Sequence, residues 1–137
     1  MKKNAKLTSQ EISKKTLIPV TTIHNRIKKL EKEGIVRGYT VVVDHKKLGL
    51  GILAFVLITV IYILPTGKKI SEIELAKTLS KMPLVEETYI VTGGTDIIIK
   101  IRVKDIDELN QFVITDLRSI EGVDNTQTII ALSSPDI

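Results

Sequence analysis

Residues 7–39 read LTSQEISKKTLIPVTTIHNRIKKLEKEGIVRGY. Two short helical patterns flank a tight break. Thr8 or Ser9 can cap a helix running to about Thr16, and Glu11 follows Thr8 at the three-residue spacing of a capping box. Ile12 faces inward with Leu7. Leu17-Ile18-Pro19 ends this helix, and Pro19 opens the next, where its missing N–H costs little. The second helix runs to about Glu33. Its Ile23, Ile27 and Leu30 follow the i, i+4, i+7 rule of a buried stripe. Gly34 is a C-cap candidate, and Ile35 to Val43 reads as a short hairpin turning at Arg37-Gly38.

That order and spacing predicts a winged helix-turn-helix, which lays its second helix in the major groove of DNA. The buried stripe fixes the open side of that helix, which carries Thr21, Thr22, Asn25, Lys28, Lys29 and Lys32. Thr21, Thr22 and Asn25 lie near the N-terminal end, which enters the groove first. Asn pairs with adenine through two hydrogen bonds, and a Thr methyl touches thymine. Arg26, Lys28 and Lys29 suit phosphates, which position without reading sequence. His24 lies beside both groups. The bland alternative, a solvated amphipathic helix with ordinary lysines, suits an isolated helix better than one with this preceding helix, break and following run.

Charge is distributed in the same sense. The net charge is +4, yet residues 1–47 hold 12 Lys/Arg against 4 Asp/Glu, and the remainder holds 8 against 12. A basic first third joined to an acidic remainder suggests a polyanion-binding part and a part with another task.

Cysteine is absent, which excludes disulfides, thiol catalysis and cysteine-based metal sites. Both histidines, His24 and His45, fall in the basic third. No Ser/His/Asp grouping, phosphate loop or metal spacing can be placed, so neither catalysis nor a cofactor is expected. The start, MKKNAKLTSQ, lacks the apolar stretch of a signal peptide. Residues 48–64, LGLGILAFVLITVIYIL, carry no charge. A membrane helix needs roughly 20 apolar residues, about 17 at the least. This run is rich in strand-favouring Val, Ile, Thr, Tyr and Phe and is ended by Pro65 and Gly67. It reads as a buried strand, and a cytoplasmic location follows as an expectation.

Three segments organise the chain: 1–43, a linker 44–50 (DHKKLGL) and 51–137. The last contains a strand over about Ile52–Leu64, a helix over Ser71–Lys81 and a strand over Val85–Val91. Gly93-Gly94-Thr95-Asp96 then turns the chain into a strand over Ile97–Val103. A helix from Asp107 to about Ser119 and a strand over Val123–Leu132 complete it. Inward residues are Ile73, Ala76 and Leu79, with Leu75 a further candidate, and then Leu109, Phe112, Val113 and Leu117. The order βαββαβ is that of ferredoxin-like domains, so the fold class is α+β. Two helices cover one sheet face. The other stays apolar and predicts a dimer.

The string ISKKTLIPVTTIHNRIKKLEKEGIVRGYTVVVD resembles the helix-turn-helix of the Lrp/AsnC (feast/famine) transcription regulators. Its frame is Val20-x-x-Ile23-x-x-Arg26-Ile27-x-x-Leu30-Glu31-x-x-Gly34-Ile35-x-x-Gly38-Tyr39. The second half resembles that family's effector domain, including Thr92-Gly93-Gly94-Thr95-Asp96 and Gly122-Val123. The resemblance implies a regulator of transcription that binds double-stranded DNA as a homodimer, assembles into tetramers or octamers, and answers to a small-molecule effector, often an amino acid. It also implies an amino-acid site near the Gly93–Asp96 loop. There Asp96 would meet the ammonium and the Gly93 and Gly94 amides the carboxylate, with Asp116, Thr126 and Thr128 as further candidates. On the residues alone, the paired glycines equally make a simple hairpin turn, and Asp116, Thr126 and Thr128 equally serve as ordinary surface and strand residues. Decarboxylases of haem precursors resemble this family but are expected to use a cavity histidine, which this half lacks.

Two departures stand out. Family members usually carry another helix before the first one here, where only Met1–Lys6 precede it. A shortened N-terminus gives an alternative: a DNA-incompetent, ligand-sensing or oligomer-forming partner of full-length relatives. The turn also usually holds Gly where this chain has Leu17, which predicts a left-handed residue at some cost.

Overall fold

A computed structural model describes residues 4–135. The chain divides into two compact units, Met1–Val43 and Asp44–Ile137, each described here by itself.

The first unit holds α1 (Ser9–Thr16) and α2 (Val20–Lys32). The capping box forms: Thr8 Oγ1 accepts from the Glu11 amide at 3.2 Å, and Glu11 Oε2 accepts from the Thr8 amide at 2.9 Å. Leu17 closes α1 in the left-handed region at φ 61°, ψ 23°, as the missing glycine predicts. The Ser13 hydroxyl donates to the Ile18 carbonyl at 2.5 Å and ties the turn. Ile23 is the one hydrophobic side chain classed as buried among this unit's described residues. Ile12, Ile18, Ile27 and Leu30 are half-buried.

The hairpin expected over Ile35–Val43 does not form. Gly34 turns left-handed at φ 72°, and the Ile35 and Val36 amides both donate to the Leu30 carbonyl, at 2.9 and 3.0 Å. Those amides are spent on the helix end and leave no first strand for residues 39–43 to pair with. Val41 and Val42 stand exposed, outside any strand.

The second unit opens with residues 44–50, expected as a linker and found as a hydrogen-bonded turn. It continues as β1 (Ile52–Val60), α3 (Glu72–Ser80), β2 (Val85–Ile90), β3 (Ile97–Val103), α4 (Ile106–Asn110) and β4 (Val123–Ala131). The strands form one antiparallel sheet in the order β2-β3-β1-β4. β2 and β3 form a hairpin, while β1 and β4 reach their neighbours because each helix carries the chain over one intervening strand, as in ferredoxin-like folds.

Alternation within β1 and β3 builds the core. Ala54, Val56, Ile58 and Val60 face the helices with Ile97, Ile99, Ile101 and Val103, and all are buried. Leu75, Ala76, Leu79, Leu109, Phe112 and Leu117 pack onto them. Each fully buried side chain of this size contributes about 1.5–3 kcal/mol. Ile73, expected inward, is exposed. The stripe of α3 runs through Leu75, Ala76 and Leu79, which turns position 73 outward. The final helix changes winding after α4. Gln111–Leu117 is π-helical, which brings Phe112 and Leu117, five residues apart, onto the same buried side.

β1 also stops short of Leu64. Ile70 N donates back to Tyr62 O at 2.8 Å, and Leu64 N to Lys68 O at 2.9 Å, so Pro65–Gly67 turns a small local hairpin rather than extending the sheet. Among the described residues, no helix is long and apolar enough to cross a membrane. The uncharged run at 48–64 is spent largely on β1.

Candidate functional site

The stripe of α2 divides its surface. Ile23, Ile27 and Leu30 turn inward, and Thr21, His24, Asn25, Arg26, Lys28 and Lys29 are exposed. Thr22 is half-buried, on the margin of the open side. Lys29 meets Glu33 at 3.9 Å, with both side chains largely exposed. Such a surface pair is worth little and yields readily to a phosphate. The open side therefore offers short polar groups near the start of the helix and cations further along. Tyr39 hydroxyl donates to Glu31 Oε1 at 2.6 Å, pinning the segment after the helix to its last turns. That hydrogen bond to a carboxylate raises the Tyr39 pKa.

Sequence-predicted effector residues fall mainly at one end of the sheet. Gly93 takes φ +108°, open to glycine but strained for other residues, in the loop that joins β2 to β3. Asp96 closes the loop. Its amide donates to Ile58 O at 3.0 Å, and its carbonyl accepts from the Val91 amide at 2.9 Å. Its carboxylate is already engaged: Oδ2 accepts from the Val60 amide at 2.8 Å and Oδ1 from the Tyr62 hydroxyl at 3.0 Å. These bonds span the irregularity in β1–β4 pairing between Ile58 and Val60. On the other side of it, Thr59 Oγ1 accepts from the Asn125 amide at 3.0 Å.

Thr126 and Thr128 share one face of β4, opposite Ile58 and Val56. Both are half-buried, and Thr126 lies in the row nearest the loop. Asp116 stands exposed on the π-helical segment, away from that cluster in sequence and layer. Tyr62, Thr59 and Asn125 escaped the sequence reading. Tyr62 left a signal, a phenol in an apolar run whose hydroxyl needs a partner. Hydrogen bonding to Asp96 raises its pKa, helped by the surrounding negative charge and partial desolvation. Among the described residues, no group of His, Cys, Asp or Glu is placed to hold a metal ion.

Comparison with known proteins agrees with both units. The profile of the winged helix-turn-helix DNA-binding family matches residues 1–37. That of the Lrp/AsnC ligand binding domain matches residues 54–136. An HTH-type transcriptional regulator of Pyrococcus furiosus, FL11, is 42% identical over 132 residues, covering 96% of this chain and 82% of its own length. The FL11 of Pyrococcus abyssi is 40% identical over 98% of this chain and 83% of its own. Among solved structures, a transcriptional regulator of Neisseria meningitidis in complex with L-Met superposes with a TM-score of 0.84 at 27% identity, over 97% of this chain and 83% of that one. AsnC of E. coli superposes with a TM-score of 0.77 at 29% identity, over 98% and 86%. With its reading helix, its split βαββαβ sheet and these relatives, the chain belongs to the Lrp/AsnC family, as a DNA-binding transcriptional regulator with a ligand-binding domain.

Proposed function

We propose that this regulator reads DNA sequence through Thr21, Thr22 and Asn25 and holds phosphates with Arg26, Lys28 and Lys29, with His24 between the two groups. The observation that carries this reading is the division of α2, polar and cationic on the side opposite Ile23. The protein acts in the cytoplasm as a regulator and not as an enzyme. An amino acid serves as effector near the Gly93–Asp96 loop, with Thr126 and Thr128 close by and Asp116 as an outer contact. The Neisseria relative bound to L-Met supports that class of ligand.

Two features support a homodimer, and the family resemblance extends this to a tetramer or octamer. Within the second unit, the sheet face opposite the helices presents Leu53, Phe55, Leu57 and Ile98 half-buried and Ile129 exposed. Among the described residues, a Cβ built at Gly93 or Gly94 would meet no atom within 4 Å, which suits a site completed by a second copy. Dimers place two reading helices on half-sites a whole number of helical turns apart.

The test is selection from random duplex DNA with the purified protein, with and without pooled amino acids. Enrichment of a near-palindrome that changes with amino acids is expected. A second reading draws on the single buried hydrophobic side chain among the first unit's described residues. A core that thin is marginal alone, and a DNA-incompetent partner of full-length relatives would give no enrichment even at low salt.

A further inference from the structure

Two ties fold the segment after α2 back onto the last turns of that helix. The Ile35 and Val36 amides donate to the Leu30 carbonyl at 2.9 and 3.0 Å. Three residues further on, the Tyr39 hydroxyl donates to Glu31 Oε1 at 2.6 Å. Between the ties stand Arg37 and Gly38. Three residues of chain reach at most about 10–11 Å, so Arg37 stays beside the C-terminal end of α2 while both ties hold.

Helical geometry also sets the side on which the second tie lands. Glu31 comes three residues after Lys28 and seven after His24, so the three side chains run along one edge of α2. That edge borders the open side, where Asn25, Lys28 and Lys32 are exposed. The tie therefore brings the segment to the border of the DNA-reading surface. The Tyr39 hydroxyl also occupies the Glu31 carboxylate, an anion that would otherwise face an approaching phosphate.

Arg37 is itself exposed. Its guanidinium pairs with no carboxylate among the first unit's described residues, where Lys29 with Glu33 is the ion pair formed. Among the described residues, a Cβ built at Gly38 would meet no atom within 4 Å, so nothing crowds the bridge between the two ties.

We infer that Arg37 is a further DNA contact, a phosphate clamp outside the reading helix, and that Tyr39 is the residue that positions it. The guanidinium takes a phosphate through two parallel hydrogen bonds, which adds affinity without reading sequence. The contact falls on the backbone beside the groove that α2 enters, on the Lys28 side. It takes the part a β-hairpin wing would play, since that hairpin does not form here. This inference rests on the proposal that α2 meets DNA.

Salt-dependent binding of the full chain to mixed-sequence duplex DNA tests it. Arg37→Gln should weaken binding roughly tenfold at about 0.1 M salt and lower the salt slope by about 1, and Arg37→Lys should restore the slope. Tyr39→Phe keeps the ring and loses the hydroxyl. It should weaken binding by roughly threefold, the worth of one exposed hydrogen bond. In the Arg37→Gln background it should cost nothing further, whereas a merely structural hydroxyl would cost the same factor in both. The inference is overturned if Arg37→Gln leaves affinity and slope unchanged while Lys28→Ala lowers both, or if the losses from Arg37→Gln and Tyr39→Phe multiply in full. Absence of wild-type binding even at low salt would overturn it together with the reading of α2.

Discussion

Asp96 Oδ2 accepts a hydrogen bond from the Val60 amide at 2.8 Å, across 36 residues of sequence. This bond caps β1 where its register with β4 shifts, and it fixes the loop after Gly93 to the centre of the sheet. Asp96→Ala should lower stability by about 1–2 kcal/mol, below the full worth of a charged hydrogen bond because the residue is only half-buried. A urea midpoint shift at unchanged slope is the measure.

The Tyr62 phenol, bonded to the same carboxylate, titrates above the usual tyrosine value. The contribution this makes to stability is present below the unfolded-chain value and is lost as pH rises through the folded one, from about pH 10 upward. Alkaline absorbance titration, with Tyr62→Phe for subtraction, should show Tyr62 returning toward its usual value in Asp96→Asn. No change would mean that the bond does not persist in solution.

Gly122 takes φ +100°, and a Cβ there would stand 2.7 Å from Ile70 Cγ2. Backbone strain and overpacking act together, so Gly122→Ala should cost about 2–4 kcal/mol. Thermal melting checks this, and a loss under about 0.5 kcal/mol would show that the loop relaxes freely.

Leu17 is 90% exposed and left-handed, so its side chain supplies little packing to offset the conformation. Leu17→Gly should stabilise the first unit by up to about 1 kcal/mol, since part of the left-handed penalty is returned as chain entropy in the unfolded state. Helix content followed against temperature reads the change directly.

On α2, Lys28→Ala should weaken binding to all duplexes alike and reduce the salt slope by about 1. Asn25→Ala should relax sequence preference and leave that slope unchanged. Identical behaviour of the two variants in salt-dependent binding would reject the division between reading and phosphate contact.

The elements that announce themselves by periodicity were legible from the residues alone. Ile23, Ile27 and Leu30 gave α2 its face, and the alternation in Ile97–Val103 gave β3. Local chemistry was legible too, as Thr8 with Glu11 and the glycine-less turn at Leu17 show. The failures lie where a nonlocal or competing bond decides. Ile35 and Val36 looked like a strand until Leu30 took their amides. Ile73 looked inward because Ile73, Ala76 and Leu79 also satisfy a helical spacing, and only the sheet beneath selects Leu75 instead. Asp96 was found by its loop, but its grip on Val60 and Tyr62 depends on a strand that ends 36 residues earlier.

The strand order also sets a timetable for synthesis. β1 is central, yet both its neighbours, β3 and β4, come later in the chain. The pairing of Leu53 with Ala131 waits for 78 further residues of chain. Until then an uncharged strand stays unpaired on the nascent chain, while α1 and α2, whose contacts are local, are free to form early. Non-local pairing of this kind is slow and open to aggregation. The local contacts of α1 and α2 are therefore available before the sheet of the ligand-binding half can close, and β1 is the segment a chaperone would meet first.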